Sequence, residues 1–212
     1  MTPPHDDQPV TTAGPRLAEA DAVVILVHGR GATAESILSL ADEIALSNVA
    51  YLAPQAANRT WYPNSFLAPV ETNEPGRTSG LEQIGTLLEE AAGAGINPEQ
   101  AALVGFSQGA CLASEYVARR PRRFGGLAAL SGGLIGASID PNSYEGDLEG
   151  TPVFLGCSDR DPHIPAERVE ETAAIFERLN AEVDTRLYPG MGHGINADEL
   201  EQVTQLVAAL IE

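Results

Sequence analysis

The chain has 212 residues, 43% hydrophobic and 20% charged, enough apolar side chains to bury a core and too many for a fibre or a disordered tail. At about 100–200 residues per domain, that length is expected to form one domain over 1–212. Thirty acidic residues against twelve basic ones leave a net charge of −18, which repels phosphate backbones and anionic lipid, so neither nucleic acid nor a membrane surface is an expected partner.

In chain order, the Pro-rich start reads as an edge strand around Val10–Leu17. Ala22–Val27 (AVVILV) is a continuous apolar run of strand length, and Thr33–Leu46 after it has helical period, with Ile37, Leu38, Leu40, Ala41, Ile44 and Ala45 expected inward. Val49–Ala53 is the next run. A long loop, 54–76, then precedes a helix expected over Ser79–Ala92 that ends in glycines. Ala101–Phe106 runs straight into a helix over Gln108–Arg119, which stops before Pro121. Leu127–Leu130, Val153–Leu155 and Val183–Leu187 supply three more strands, and helices at Ala166–Leu179 and Asp198–Ile211 complete the pattern. This alternation implies an α/β architecture, a mainly parallel central sheet with helices on both faces. The 131–150 connection is twenty residues, too short for a large cap domain.

The sharpest chemical signal is Gly105-Phe106-Ser107-Gln108-Gly109, a G-x-S-x-G between an apolar strand and a helix. A serine on such a turn is a nucleophile candidate, because small flanking residues admit the tight backbone and the helix N-terminus favours developing negative charge. It needs a base and an orienting acid, which on this kind of turn follow in the order Ser, acid, His. His193, in the glycine-rich loop Pro189-Gly-Met-Gly-His193, has that position. His163 reads as a loop residue near the site, His28 as a hydrogen-bonded structural histidine and His5 as part of the N-terminal tail. Two acids, Asp159 and Asp161, follow the Val153–Leu155 strand, and spacing alone does not separate them.

Stabilising an oxyanion takes two backbone N–H groups. Gln108, after the nucleophile, supplies one, and Arg30 in the turn His28-Gly29-Arg30-Gly31 is the expected second. The loop holding Trp61, Tyr62 and Phe66 reads either as a substrate wall or as a cluster that only anchors the loop. Leu134 and Ile135 are further candidates for the pocket lining. Nothing in the pattern calls for a metal.

Cys111 and Cys157 have no disulfide or zinc spacing and read as buried free thiols. All twelve bases are Arg, and Lys is absent. Together with the acid excess this suggests adaptation to concentrated salt, where self-repulsion is screened. No apolar run reaches the ~20 residues of a membrane span, and the first ten residues lack the basic and apolar regions of a signal peptide, so a cytoplasmic protein is expected.

The motifs HGRGAT (28–33), YLAPQA (51–56), TWYPNSFLAP (60–69), GFSQGA (105–110), LSGG (130–133), SDRDPHIP (158–165) and PGMGH (189–193) resemble the phospholipase/carboxylesterase family of α/β-hydrolases, over nearly the whole chain. The TWYPNSFLAP stretch is similar to the prokaryotic carboxylesterase branch and departs from the acyl-protein thioesterases. The resemblance implies an α/β-hydrolase fold, a serine esterase acting on small ester substrates, no cofactor and, for many members, homodimers. In the family the acid precedes a proline in a D-P-x-[VI]-P segment, which falls on Asp161.

Overall fold

Strands that are apolar on both faces collect where both faces can be covered. A computed structural model describes residues 3–212. Its strands are β1 (Val10–Ala13), β2 (Ala22–Val27), β3 (Val49–Pro54), β4 (Ala101–Phe106), β5 (Gly126–Leu130), β6 (Pro152–Ser158) and β7 (Glu182–Tyr188). The α-helices are α1 (Ala34–Ile44), α2 (Gly76–Gly93), α3 (Gln108–Arg119), α4 (Ala166–Arg178) and α5 (Ala197–Ala208). All seven strands join one sheet in the order β1-β3-β2-β4-β5-β6-β7, with β1 pairing antiparallel to β3 and every other pair parallel.

Side chains alternate across a strand, and the two resulting sets are buried separately. Val23, Ile25 and Val27 pack with Leu103, Leu127 and Leu155 beneath α2, α3 and α4. Ala22, Val24 and Leu26 pack with Val104, Leu130 and Phe154 beneath α1 and α5. The chain leaves β2 toward β3 on one side and comes back to β4 on the other. Strand order therefore reverses between β2 and β4, and the loops leaving their carboxyl ends part to form a crevice.

Several expectations change in detail, among them the strand expected over Val153–Leu155, which pairs with β7 from Pro152 to Ser158, and the N-terminal edge strand, which ends at Ala13. Helix α2 begins at Gly76, three residues before the expected Ser79, because its first turn is polar yet buried against other elements. A Cβ on Gly76 would lie 2.5 Å from the Trp61 carbonyl oxygen, and Arg77 reaches Glu115 on α3 at 2.7 Å. Ala45 is exposed rather than inward, since it caps α1 in the left-handed region at φ 54°. Strand β7 extends to Glu182 and Tyr188 because its backbone pairs with β6 along that length, although its edge position leaves several of its side chains in solvent. His5 is buried rather than in a loose tail: its imidazole accepts from the Ala57 amide at 3.1 Å and meets the Trp61 carbonyl at 2.9 Å.

Candidate active site

Between the end of β4 and the start of α3 only Ser107 makes the turn, at φ 55° and ψ −119°. A non-glycine residue in such a region costs of the order of 1–3 kcal/mol, so its surroundings must hold it. The Ser107 amide donates to the Leu130 carbonyl at 2.9 Å, and its carbonyl accepts from the Cys111 amide at 3.0 Å. Both motif glycines are needed for contact. A Cβ at Gly105 would stand 2.5 Å from the Gly109 carbonyl oxygen, and one at Gly109 would stand 2.0 Å from that of Val27.

The loop after β7 brings His193 over this turn. Its Nε2 lies 2.9 Å from Ser107 Oγ, and its Nδ1 lies 2.7 Å from Asp161 Oδ2. The other Asp161 oxygen accepts from the amides of His163 and Ile164 at 2.8 and 3.1 Å. Burial opposes ionisation of this carboxyl, but the hydrogen bonds from His193 and the two amides outweigh it and hold the group below the usual carboxylate range. Asp159 points elsewhere: its Oδ1 accepts from the Gly190 amide at 2.7 Å, and the neighbouring Ser158 Oγ accepts from Gly192 at 3.1 Å. These two side chains at the end of β6 pin the loop that carries His193, while Asp161, not Asp159, is the acid that bonds the imidazole.

Across from His193, the amides of Arg30 and Gln108 donate to no acceptor among the described residues. The first sits in the turn after β2 and the second at the first position of α3, where a helix leaves its N–H groups without internal partners. The same two residues hold the aromatic loop through their side chains. Gln108 accepts from the Trp61 amide at 2.9 Å and donates to the Tyr62 carbonyl at 2.8 Å. The Arg30 guanidinium donates to the carbonyls of Pro63, Tyr62 and Asn64 at 2.9, 3.0 and 2.6 Å.

A cavity of about 420 Å³ opens beside Ser107 and His193. Tyr62, Phe66, Cys111 and Ile164 form its apolar part; Arg30, Asn64, Ser65 and His163 form a polar part. Three expected lining residues lie outside it. Trp61 is fully buried and donates from Nε1 to the His28 carbonyl at 2.8 Å, so it anchors the loop while Tyr62 and Phe66 face the cavity. Leu134 and Ile135 are buried in the core, their amides bound to Thr172 Oγ1 at 3.0 Å and Glu115 Oε2 at 3.2 Å. The first residues of the 131–150 connection, 131–136, therefore serve as core packing. His28 is structural as expected, its ring accepting from the Ala56 amide at 3.0 Å.

Cys111 is a buried thiol that also lines the cavity, a role its sequence reading missed. The signal was available, since Cys111 follows Ser107 by four residues and so shares its helix face. Burial pushes its thiol up to about 11, which keeps it protonated and makes it a wall and not a nucleophile. Cys157, 3.9 Å from Asp161, is pushed up to about 12 by burial and by that carboxylate.

The sequence profile of the phospholipase/carboxylesterase family matches residues 12–211. The chain belongs to the phospholipase/carboxylesterase family. A solved phospholipase/carboxylesterase of Dyadobacter fermentans is 42% identical and superimposes with a TM-score of 0.92 over 95% of this chain and 97% of its own. Acyl-protein thioesterase 1 of Kluyveromyces lactis is 27% identical across 91% of this chain and 93% of the yeast protein. A Bacillus cereus carboxylesterase, 20% identical, superimposes with a TM-score of 0.77 over 97% of this chain and 95% of its own, a likeness of fold alone. The chain is thus a hydrolase of the α/β-hydrolase fold, in a family of carboxylesterases and thioesterases. No described helix is long and apolar enough to cross a membrane.

Proposed function

We propose that this family member is a serine carboxylesterase that cleaves small, short-chain carboxylic esters through an acyl-enzyme. The observation that carries the reading is the unbroken chain from Asp161 through His193 to Ser107, at 2.7 and 2.9 Å, ending on a serine held in a strained turn. His193 Nε2 takes the proton of Ser107 Oγ as that oxygen attacks the ester carbonyl carbon, and Asp161 stabilises the resulting imidazolium. The carbonyl oxygen becomes an oxyanion between the Arg30 and Gln108 amides. Collapse breaks the bond to the alcohol oxygen, which leaves with the proton from His193. Water then attacks the acyl-Ser107 bond by the same steps and releases the acid. A fluorophosphonate probe tests this directly: it is expected to label wild-type protein once, at Ser107, and to leave Ser107→Ala unlabelled. Labelling elsewhere, or none, would refute the mechanism.

The short-chain preference rests on the open cavity and on the shortness of the 131–150 connection, whose first residues, 131–136, are buried in the core. Each CH₂ buried in a channel contributes about 0.8 kcal/mol, so a long tunnel makes kcat/KM climb with acyl length. Across p-nitrophenyl esters, kcat/KM is expected to peak at short chains and to fall steeply for long ones. The thioesterase relatives favour a second reading. A kcat/KM that rose through decanoyl to palmitoyl esters or thioesters would give the site to acyl-thioester hydrolysis.

The charge of −18 supports a salt-adapted protein. At low ionic strength these charges repel across the whole surface, while at 1 M the Debye length falls to about 3 Å. Melting temperature is therefore expected to rise as KCl goes from near zero to molar. A flat or falling curve in differential scanning calorimetry counts against the salt-adapted reading.

A further inference from the structure

The chain carries 30 acidic residues, yet among the described residues none lines the cavity beside Ser107, and the one permanent cation there is Arg30. Arg30 has no carboxylate partner among the described residues. Three of its donors go to the carbonyls of residues 62–64, and its guanidinium lies 5.9 Å from the Tyr62 ring centroid. A guanidinium carries five N–H donors, so this fixed, exposed group has spare N–H groups and an unneutralised charge at the cavity. Ser65 lines the same cavity, its Oγ accepting from the Leu67 amide at 3.2 Å and its hydroxyl hydrogen unclaimed among the described residues. Elsewhere in the molecule buried arginines are met by acids, as Arg77 is by Glu115. At Arg30 both Nη2 hydrogens and one on Nη1 are taken by the carbonyls of residues 62–64, which leaves single N–H groups on Nε and Nη1. The positive charge at this acid-free wall therefore suits an anion held by single charge-assisted hydrogen bonds and not by a bidentate fork.

From this juxtaposition we propose that the Arg30 guanidinium, with Ser65, forms a subsite for a carboxylate carried by the substrate, so that the preferred esters bear a negative charge near the scissile bond. The assignment rests on the esterase reading above and adds the substrate class. Carbonyl clamping of the aromatic loop by Arg30 is the competing account, and it affects all esters alike.

The test compares charged and uncharged partners by pH-stat: monomethyl glutarate against methyl butyrate for a charge on the acyl side, and acetoxyacetate against propyl acetate for one on the alcohol side. On going from wild type to Arg30→Met, kcat/KM for at least one charged ester is expected to fall about tenfold or more beyond the fall for its uncharged partner, the scale of one charged hydrogen bond. Arg30→Lys is expected to restore part of that difference. Using the ratio cancels the intrinsic reactivity of each ester, and Arg30→Met leaves the backbone amide at position 30 in place. Equal losses on charged and uncharged esters overturn the subsite and leave Arg30 as a clamp. With wild-type protein alone, glutarate is expected to inhibit p-nitrophenyl acetate hydrolysis at least about tenfold more tightly than butyrate, since only glutarate offers a second carboxylate. Equal inhibition overturns the proposal without any variant. The esterase reading fails differently, by absence of turnover on every ester and of fluorophosphonate labelling.

Discussion

Ser107→Ala and His193→Ala are each expected to lower kcat by roughly 10⁵–10⁶-fold, and the double variant by little more than either alone. Removing the hydroxyl removes the atom that bonds to the acyl group. Removing the imidazole removes the acceptor 2.9 Å from that hydroxyl, and a serine at its ordinary acidity is a poor nucleophile. Each loss disables the same step, so the penalties do not add. The residual rate is expected to come from the Arg30 and Gln108 amides, which both variants keep. Fold should survive in each case: Ser107 is held through its backbone, and His193 is partly exposed. Active-site titration and single-turnover kinetics with p-nitrophenyl acetate check the ranking. Multiplying losses in the double variant would mean that the two side chains act in separate steps.

Asp161→Asn is expected to lower kcat about 10⁴-fold, while Asp159→Asn stays within several-fold of wild type. An asparagine at 161 keeps one oxygen for the amides of His163 and Ile164. Its NH₂ then faces His193 Nδ1, which must become the acceptor. The ring proton moves to Nε2, and the base can no longer take a proton from Ser107. At 159 the amide oxygen of asparagine still accepts from Gly190, so the loop keeps its pin. The reverse ranking would reassign the acid. A stability signature goes with the same residue. The carboxyl of Asp161 is held below its usual range in the folded chain, so its contribution to stability is present above the unfolded value of about 3.9 and disappears as pH falls through the folded one. The melting deficit of Asp161→Asn should therefore be largest near neutral pH and shrink below about pH 4.

The sequence by itself determined the strand and helix alternation, because runs such as Ala22–Val27 are apolar at every position and are stable only with both faces covered. It also determined the tight turn at Ser107, since Gly105 and Gly109 report contacts that admit no side chain, and chain order and loop position pointed to His193 as the imidazole beside it. Asp159 and Asp161 were inseparable by spacing, being two residues apart on one loop, and only the direction of their side chains assigns one to the imidazole and the other to Gly190. The start of α2 was hidden because Arg77 looks like a surface residue until Glu115, thirty-eight positions away, meets it. Tertiary structure likewise decided which aromatics face the cavity. Trp61 carries the same apolar signal as Tyr62 and Phe66, but the carbonyl of His28 claims its indole N–H, and that bond between distant residues turns the ring into the core. Composition and period report what a residue needs, burial or solvent, and long-range partners determine where that need is met.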